Sequence, residues 1–305
     1  MGADEILVVV NPVAGGGRAR RARPLLEDYL LCHGVRADFV ESKSGEDVRA
    51  QAAMAADAGY RTVAALGGDG AFHHVLEATF GRDVTLGFFP AGNGNDIAEA
   101  LELPKDPIAA AHIFLTALAR SIDVLRAEFR DGSSAVLIGA GGMGLDAEAA
   151  RLANGRFRRG PGVTRYLAGA LWTLRKFRPL EVEVDLETDI GAARWQGGVI
   201  LAAVANAPCY GSGFRIAPGA TVDDGWLNVL LVEALPWTRV LEAIPILLRN
   251  GDLRWPEIHR YRARRVRIAS DRPALVHGDG ELLGESPVEF RVLPGAVRVI
   301  APAHS

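Results

Sequence analysis

The stretch Gly67-Gly68-Asp69-Gly70 places one carboxylate among three glycines, between the apolar run "TVAAL" (62–66) and a segment of helical spacing. Two further turns, "NPVAGGGR" (11–18) and "PAGNGND" (90–96), follow apolar runs in the same way. Glycine reaches φ > 0 and lets backbone N–H groups approach an anion with no Cβ in the way. A helix starting at such a turn adds the positive end of its dipole. Three turns of this kind, with Arg18, Arg20 and Arg21 behind the first, have the chemistry of a phosphate cradle. Asp69 would repel a phosphate directly, so its place is beside a divalent cation or a sugar hydroxyl. No GxxxxGK[ST] occurs, which excludes a Walker-type loop.

The elements that must hold these turns alternate in period. "EILVVV" (5–10) reads as a buried strand, followed by a helix over 18–33, the strand "ADFVES" (37–42) and an Ala-rich helix over 45–59. "TVAAL", a helix from 71, "TLGFFP" (85–90) and a helix near 95–101 continue the alternation. This predicts an α/β fold: a parallel sheet with helices on both faces. Ligands of such sheets bind beyond the carboxyl ends of the strands, where all three turns fall. From about Ser121 the texture changes to runs such as "SIDVLRAEF", "SAVLIGAG", "LEVEVDLET", "WQGGVILAAVAN", "WLNVLLVEAL", "YRARRVRIAS" and "PVEFRVLPGAVRVIA". These predict a mainly antiparallel β-sandwich, interrupted by helices over 161–177 and about 237–250. The expected organisation is a domain over 1–122 and a second over 123–305, with the extreme C-terminus packing back on the first.

The totals bound the function. A net charge of −3 over 305 residues gives no general reason to bind nucleic acid. Cys32 and Cys209 supply neither a disulfide framework nor a four-ligand zinc pattern. The opening "MGADEILVVVNP" has acids where an export signal needs basic residues. No apolar run reaches the roughly 18–20 residues of a spanning helix. The expectation is a cytoplasmic protein that meets a membrane only at its surface. "GAGGMG" (139–144) fits GxGxxG, yet residues 149–180 hold no Asp or Glu to bind a ribose, so no dinucleotide site is expected there.

The ordered motifs resemble a known family. Asn11-Pro12, Gly67 to Gly70, Pro90 to Asp96, Gly142 to Ala147, Asn206, "GSGFRIAPGATVDDGWL" (211–227) and Asp279-Gly280-Glu281 together look like the diacylglycerol kinase catalytic-domain family. That family includes bacterial soluble lipid kinases and the sphingosine and ceramide kinases. The resemblance implies ATP and Mg²⁺ at a cleft between a nucleotide-binding domain and a lipid-substrate domain, with a lipid hydroxyl as acceptor. It implies nucleotide contacts from Asn11, Ser42, Gly67, Gly68, Asp69, Gly70, Ala71, Phe72, His73, His74, Gly92, Asn93, Asn95 and Asp96. Glu281 is the implied base, with Asp279 as the fallback and Asp69 as the third catalytic residue. Asp224, with main-chain oxygens at Thr221 and Trp226, resembles the family's separate metal site.

Two features stand apart from the pattern. The family follows GGDG with Thr and then Asn-Glu two positions on, where this chain has Ala71, His73 and His74. Neighbouring helical residues point about 100° apart, so the two histidines are not expected to chelate one metal together. Residues 149–180 carry seven arginines and one lysine, with apolar residues at helical spacing, a pattern suited to an anionic membrane surface. Two other readings stay open: a soluble-substrate kinase of the NAD kinase type, and a nucleotide- or lipid-binding member with weak or no catalysis. "PAGNGND" and "DDGWL" argue against the first; Ala71 and the histidines suggest the second.

Overall fold

The computed structural model describes residues 6–145, 147–148, 177–251 and 253–303. The chain divides into two compact units, Met1–Ile122 with Gly295–Ser305, and Asp123–Pro294. The predicted basic helix over 161–177 falls almost wholly outside the described residues, as does Asp146 of the Gly142-to-Ala147 motif.

In the first unit, β1 (Ile6–Val10), β2 (Asp38–Glu41), β3 (Thr62–Gly67) and β4 (Thr85–Pro90) form a parallel sheet in the order β2-β1-β3-β4. Arg298 and Val299, near the end of the last strand of the chain, add in parallel to β4. Val8, Val10, Ala64, Leu66 and Phe89 point to one face, where α1 (Ala14–Cys32) contributes Ala19, Ala22, Leu26 and Leu30. On the other side of the sheet α2 (Gly45–Ala58) packs with α3 (Asp69–Thr79), whose Phe72 ring lies 4.8 Å from that of Phe88. Because both faces are covered, β1 and β3 are buried throughout, and this explains their unbroken apolar runs.

A short α4 (Asp96–Ala100) follows β4 as expected, but α5 (Pro107–Thr116) was not anticipated. Its signal was local: Asp106 Oδ1 accepts from the N–H groups of Ile108 and Ala109 at 3.0 and 2.9 Å, with Pro107 opening the first turn. α5 adds Ala110, Ala111 and Phe114 to the α1 face. Gly87 admits it, since a Cβ there would lie 2.7 Å from the Phe114 ring.

The second unit is a mainly antiparallel β-sandwich. β5 (Ala119–Phe129) leads into it and pairs with β6 (Ser134–Leu137); β7 (Ala140–Gly144), β8 (Leu180–Thr188) and β9 (Gly191–Ala205) follow. Next come β10 (Leu227–Glu233), the helix α6 (Trp237–Arg249), β11 (Ile258–Ala263) and β12 (Arg265–Ser270). β13 (Leu275–Gly278), β14 (Glu281–Glu285) and β15 (Val288–Ile300) complete it. The long β9 pairs with β8 through its first half and with β7 and β10 through its second. β8 shows the period of two: Val182, Val184 and Leu186 enter the core while Glu183, Asp185 and Glu187 do not. The expected strand "YRARRVRIAS" is two strands, broken at Arg264.

The expected strand "SAVLIGAG" is also two, β6 and β7, because polar groups seize the backbone between them. The Asp279 carboxylate accepts from the N–H groups of Ile138, Gly139 and Ala140 at 2.9, 2.9 and 3.1 Å. Asn206, fully buried, donates to the carbonyls of Asp123 and Ile138 at 3.1 and 3.0 Å. Buried Asp123 in turn accepts from Gly225 N–H at 2.6 Å. The GxGxxG stretch is therefore mostly sheet: a Cβ at Gly142 would lie 2.4 Å from the Ala202 carbonyl oxygen, so these glycines serve strand packing. Truncating Asn206 leaves two buried carbonyls short of a donor, at about 1–3 kcal/mol each. We expect Asn206→Ala to lower the stability of this unit by roughly 2–4 kcal/mol in calorimetry; an unshifted unfolding transition would show that the carbonyls find other partners.

Candidate active site

The carboxyl ends of β1, β3 and β4 converge on an open cleft of about 290 Å³. The β1 turn contributes Asn11, Ala14 and Gly15; the start of α2 contributes Gly45 and Val48. The β3 turn and the first two turns of α3 contribute Gly68, Gly70, Ala71 and His74, and the β4 turn contributes Gly92. Here the sequence demands glycine for two distinct reasons. Gly15, Gly16 and Gly17 run at φ of 57°, 64° and 85°, a left-handed turn that side chains resist, and the right-handed helix begins only at Arg18. Gly68 and Gly92 meet backbone to backbone: a Cβ on Gly92 would lie 2.6 Å from Gly68 Cα. A Cβ on Gly70 would meet nothing within 4 Å, so that position opens into space.

Polar side chains fix this geometry from behind. Asn95, buried and at φ 59°, accepts from Gly92 N–H at 2.9 Å and donates to Gly92 C=O at 3.1 Å. Arg18 donates to the same carbonyl. Asp69, the carboxylate of the glycine turn, accepts from Ile97 N–H at 2.9 Å and so couples the β3 turn to the start of α4. Asp96, next to Ile97, is buried at the head of that helix.

Several expected contacts lie elsewhere. Ser42 is buried and its hydroxyl donates to the Val10 carbonyl at 3.0 Å, so it does not line the cleft. Phe72 is wholly buried against Phe88, and His73 is 1% exposed, so their side chains belong to the core face of α3. Asn93 is exposed and outside the lining, and Gly67 packs on Ala71, 2.7 Å from where its own Cβ would be.

His74 does reach the cleft. Its Nε2 edge lies against the start of α2, where a Cβ on Gly45 would come within 2.3 Å. On the opposite side of the ring Nδ1 lies 3.4 Å from Glu77 Oε2 and 3.3 Å from an Arg49 guanidinium nitrogen. His73 Nε2 reaches the same Glu77 oxygen at 3.5 Å, and Arg49 donates to it as well. Burial pushes the Glu77 carboxyl up, but hydrogen bonds to His73, His74 and Arg49, with the charge of His73, outweigh that and hold it far below the usual range. His73 packs inward and His74 faces the cleft, yet both rings reach the Glu77 carboxylate. Glu77, one turn on, sits about 40° from one and 60° from the other around the helix, between them. Sequence reasoning missed Gly45, Arg49 and Glu77; the i,i+3 and i,i+4 spacing of Glu77 from the histidines was the available signal.

In the second unit, Asp279 and Gly280, at φ 47° and 89°, form the two-residue turn of the β13–β14 hairpin. The three backbone donors on Asp279 make it an anchor of the 138–140 segment, which removes it as a fallback base. Glu281 opens β14 with its side chain exposed. Asp224 accepts from Trp226 N–H at 2.9 Å and from Arg262, while Arg262 and Arg264 lie over the Trp226 ring at 5.4 and 4.6 Å. Arg262 already neutralises Asp224, so a metal ion on the Asp224, Thr221 and Trp226 set would have to displace that half-exposed guanidinium.

Residues 5–127 match the model of the diacylglycerol kinase catalytic domain, and residues 139–301 that of the YegS C-terminal NAD kinase beta sandwich-like domain. A diacylglycerol kinase of Mycobacterium tuberculosis (strain ATCC 25618 / H37Rv) is 31% identical over 304 residues, covering 98% of this chain and 96% of that one. A Pseudomonas aeruginosa protein named as a YegS-like lipid kinase is 30% identical over 311 residues, covering 100% and 97%. A crystal structure of a diacylglycerol kinase from Bacillus anthracis superposes with a TM-score of 0.74 at 18% identity, covering 99% and 98%, which supports the fold alone. The chain belongs to the diacylglycerol kinase family, phosphotransferases that act on an alcohol group.

Proposed function

We propose that this chain transfers the γ-phosphoryl group of ATP to a lipid hydroxyl, with diacylglycerol as the first acceptor to test, at the inner surface of a membrane. The observation that carries the reading is the Gly68–Gly92 contact, which opens a glycine-lined cleft beside Asp69 at the carboxyl edge of a parallel sheet. Phosphoryl transfer needs positioning and charge neutralisation more than covalent chemistry. Backbone N–H groups around Gly68, Gly70 and Ala71 suit the phosphates, since no side chain intervenes. Asp69, whose Oδ1 accepts from Ile97 N–H at 2.9 Å, is the carboxylate of the glycine turn that would hold Mg²⁺, which when bound to ATP neutralises phosphate charge. In the step itself the acceptor oxygen bonds to the γ-phosphorus, the bond to the β-phosphate oxygen breaks, and ADP leaves. The hydroxyl proton passes to Glu281, the exposed carboxylate of the DGE turn. Among the described residues no helix is long and apolar enough to cross a membrane.

Of the departures from the family, His73 is buried, Asn93, in place of the usual threonine of the later turn, is exposed outside the lining, and Ala71 and His74 remain in the cleft. A missing hydroxyl at Ala71 removes one charge-assisted hydrogen bond, about 1.5–3 kcal/mol, while the backbone donors persist. That weakens a kinase without abolishing it.

The assay is labelled ATP with Mg²⁺ against mixed vesicles carrying one candidate lipid at a time, with product identification. Asp69→Asn should reduce turnover by about a hundredfold or more with an unchanged melting profile; near-normal turnover would remove Asp69 from the chemistry. Glu281→Gln should reduce kcat by roughly 10²–10⁴ with nucleotide affinity little altered. Collapse of ATP binding instead would make Glu281 a structural group, and wild-type binding without any phosphorylated product would favour the binding-module reading. Ala71→Thr should tighten ATP by roughly tenfold, whereas a marked loss would mean that the cleft is built around alanine.

A further inference from the structure

His73 and Glu77 take no part in the phosphoryl-transfer reading, and His74 shares only one edge with the cleft. Together they make a constellation of another kind. His73 Nε2 and His74 Nδ1 stand 3.5 and 3.4 Å from the same oxygen of Glu77, and all three atoms lie within 4.8 Å of one another. Ligands at about 2.0–2.1 Å from a tetrahedral zinc ion are separated by about 3.4 Å. We propose that His73, His74 and Glu77 form a transition-metal site of the zinc class on α3.

Three observations converge on it. Two imidazoles and a carboxylate are the donors of Zn²⁺ and Co²⁺, whereas Mg²⁺ takes oxygen ligands. The spacing is built into the helix, because Glu77 lies between the two histidines one turn later. A cation already stands at the site: Arg49 donates to the Glu77 oxygen and approaches His74 Nδ1 at 3.3 Å. A guanidinium only donates, so in the His74 tautomer that accepts from Arg49 the Nδ1 lone pair faces a positive charge. The Arg49 side chain is 46% exposed and can turn out to solvent when a metal takes its place. Arg49 is thus a built-in competitor. Capture of the metal draws the two imidazoles closer and pulls His74 from Gly45 at the cleft. Metal occupancy therefore alters nucleotide affinity, a consequence that rests on the proposed function while the metal site does not.

The test uses the full chain, stripped with a chelator and titrated with Co²⁺ in the absence of nucleotide and lipid, followed by visible absorption and calorimetry. The site predicts one equivalent bound with the intense bands of low-coordinate Co²⁺, displaced by Zn²⁺ and unaffected by Mg²⁺. H74Q and E77Q should each weaken binding by about 10–100-fold or more, and R49A should tighten it. His73 is buried and H73Q is at risk of misfolding, so H74Q, at a partly exposed position, keeps the test decisive. Failure of the wild type to take up one equivalent, uptake unchanged in H74Q and E77Q, or no gain in R49A would overturn the proposal. ATP titration of Zn²⁺-loaded and metal-free protein then reads the coupling: ATP binding with no change between the two removes the coupling, and no ATP binding in either fails the kinase reading alone.

Discussion

Gly68 and Gly92 approach so closely that a Cβ on Gly92 would lie 2.6 Å from Gly68 Cα, and one on Gly68 3.2 Å from Gly92 Cα. That contact depends on the parallel register of β3 and β4, which carries Gly67 opposite Pro90 at the edge of the sheet. Asn95 holds Gly92 by both its backbone groups, and Asp69 ties the β3 turn to the start of α4, so side chains fix both turns. Backbone is left facing a cleft. An anion-binding surface made of main chain needs no charged side chain of its own, which is consistent with a chain whose net charge is slightly negative.

The same turns illustrate how much of the site was legible beforehand. Glycine patterns after apolar runs marked all three turns, because glycine is required wherever φ is positive or backbones touch. The directions of side chains were less accessible. Ser42, Phe72 and His73 belong to motif segments yet point into the interior, since the helical period that brings Ala71 and His74 to the cleft turns Phe72 and His73 to the core. Gly45 and Arg49 come from α2, which carries no motif, and only tertiary packing brings them to α3.

The β-sandwich was legible as a class from its alternating runs, with β8 matching its predicted span residue for residue. Breaks within runs were not. Asp279 and Asn206 bind the backbone of 138–140 from far away in sequence, and those bonds mark where β6 ends and β7 begins. α5 was missed although Asp106-Pro107 is a strong start signal, because its apolar residues show no marked amphipathic period. The basic stretch over 149–176 lies outside the described residues, so its expected membrane role stays a reading of the sequence.

The central claim is that the clamped glycine turns form the nucleotide cleft, and Gly92→Ala tests it most directly. Calorimetric titration of the purified variant with ATP and Mg²⁺, beside the wild type and with the fold checked by circular dichroism, reads the closeness of the two turns, since the added Cβ meets both Gly68 Cα and Asn95 Oδ1. The account predicts a folded protein whose ATP affinity falls by at least about tenfold, because the added methyl forces the β3 and β4 turns apart. Wild-type affinity in a folded Gly92→Ala protein would contradict it and move the nucleotide to another site.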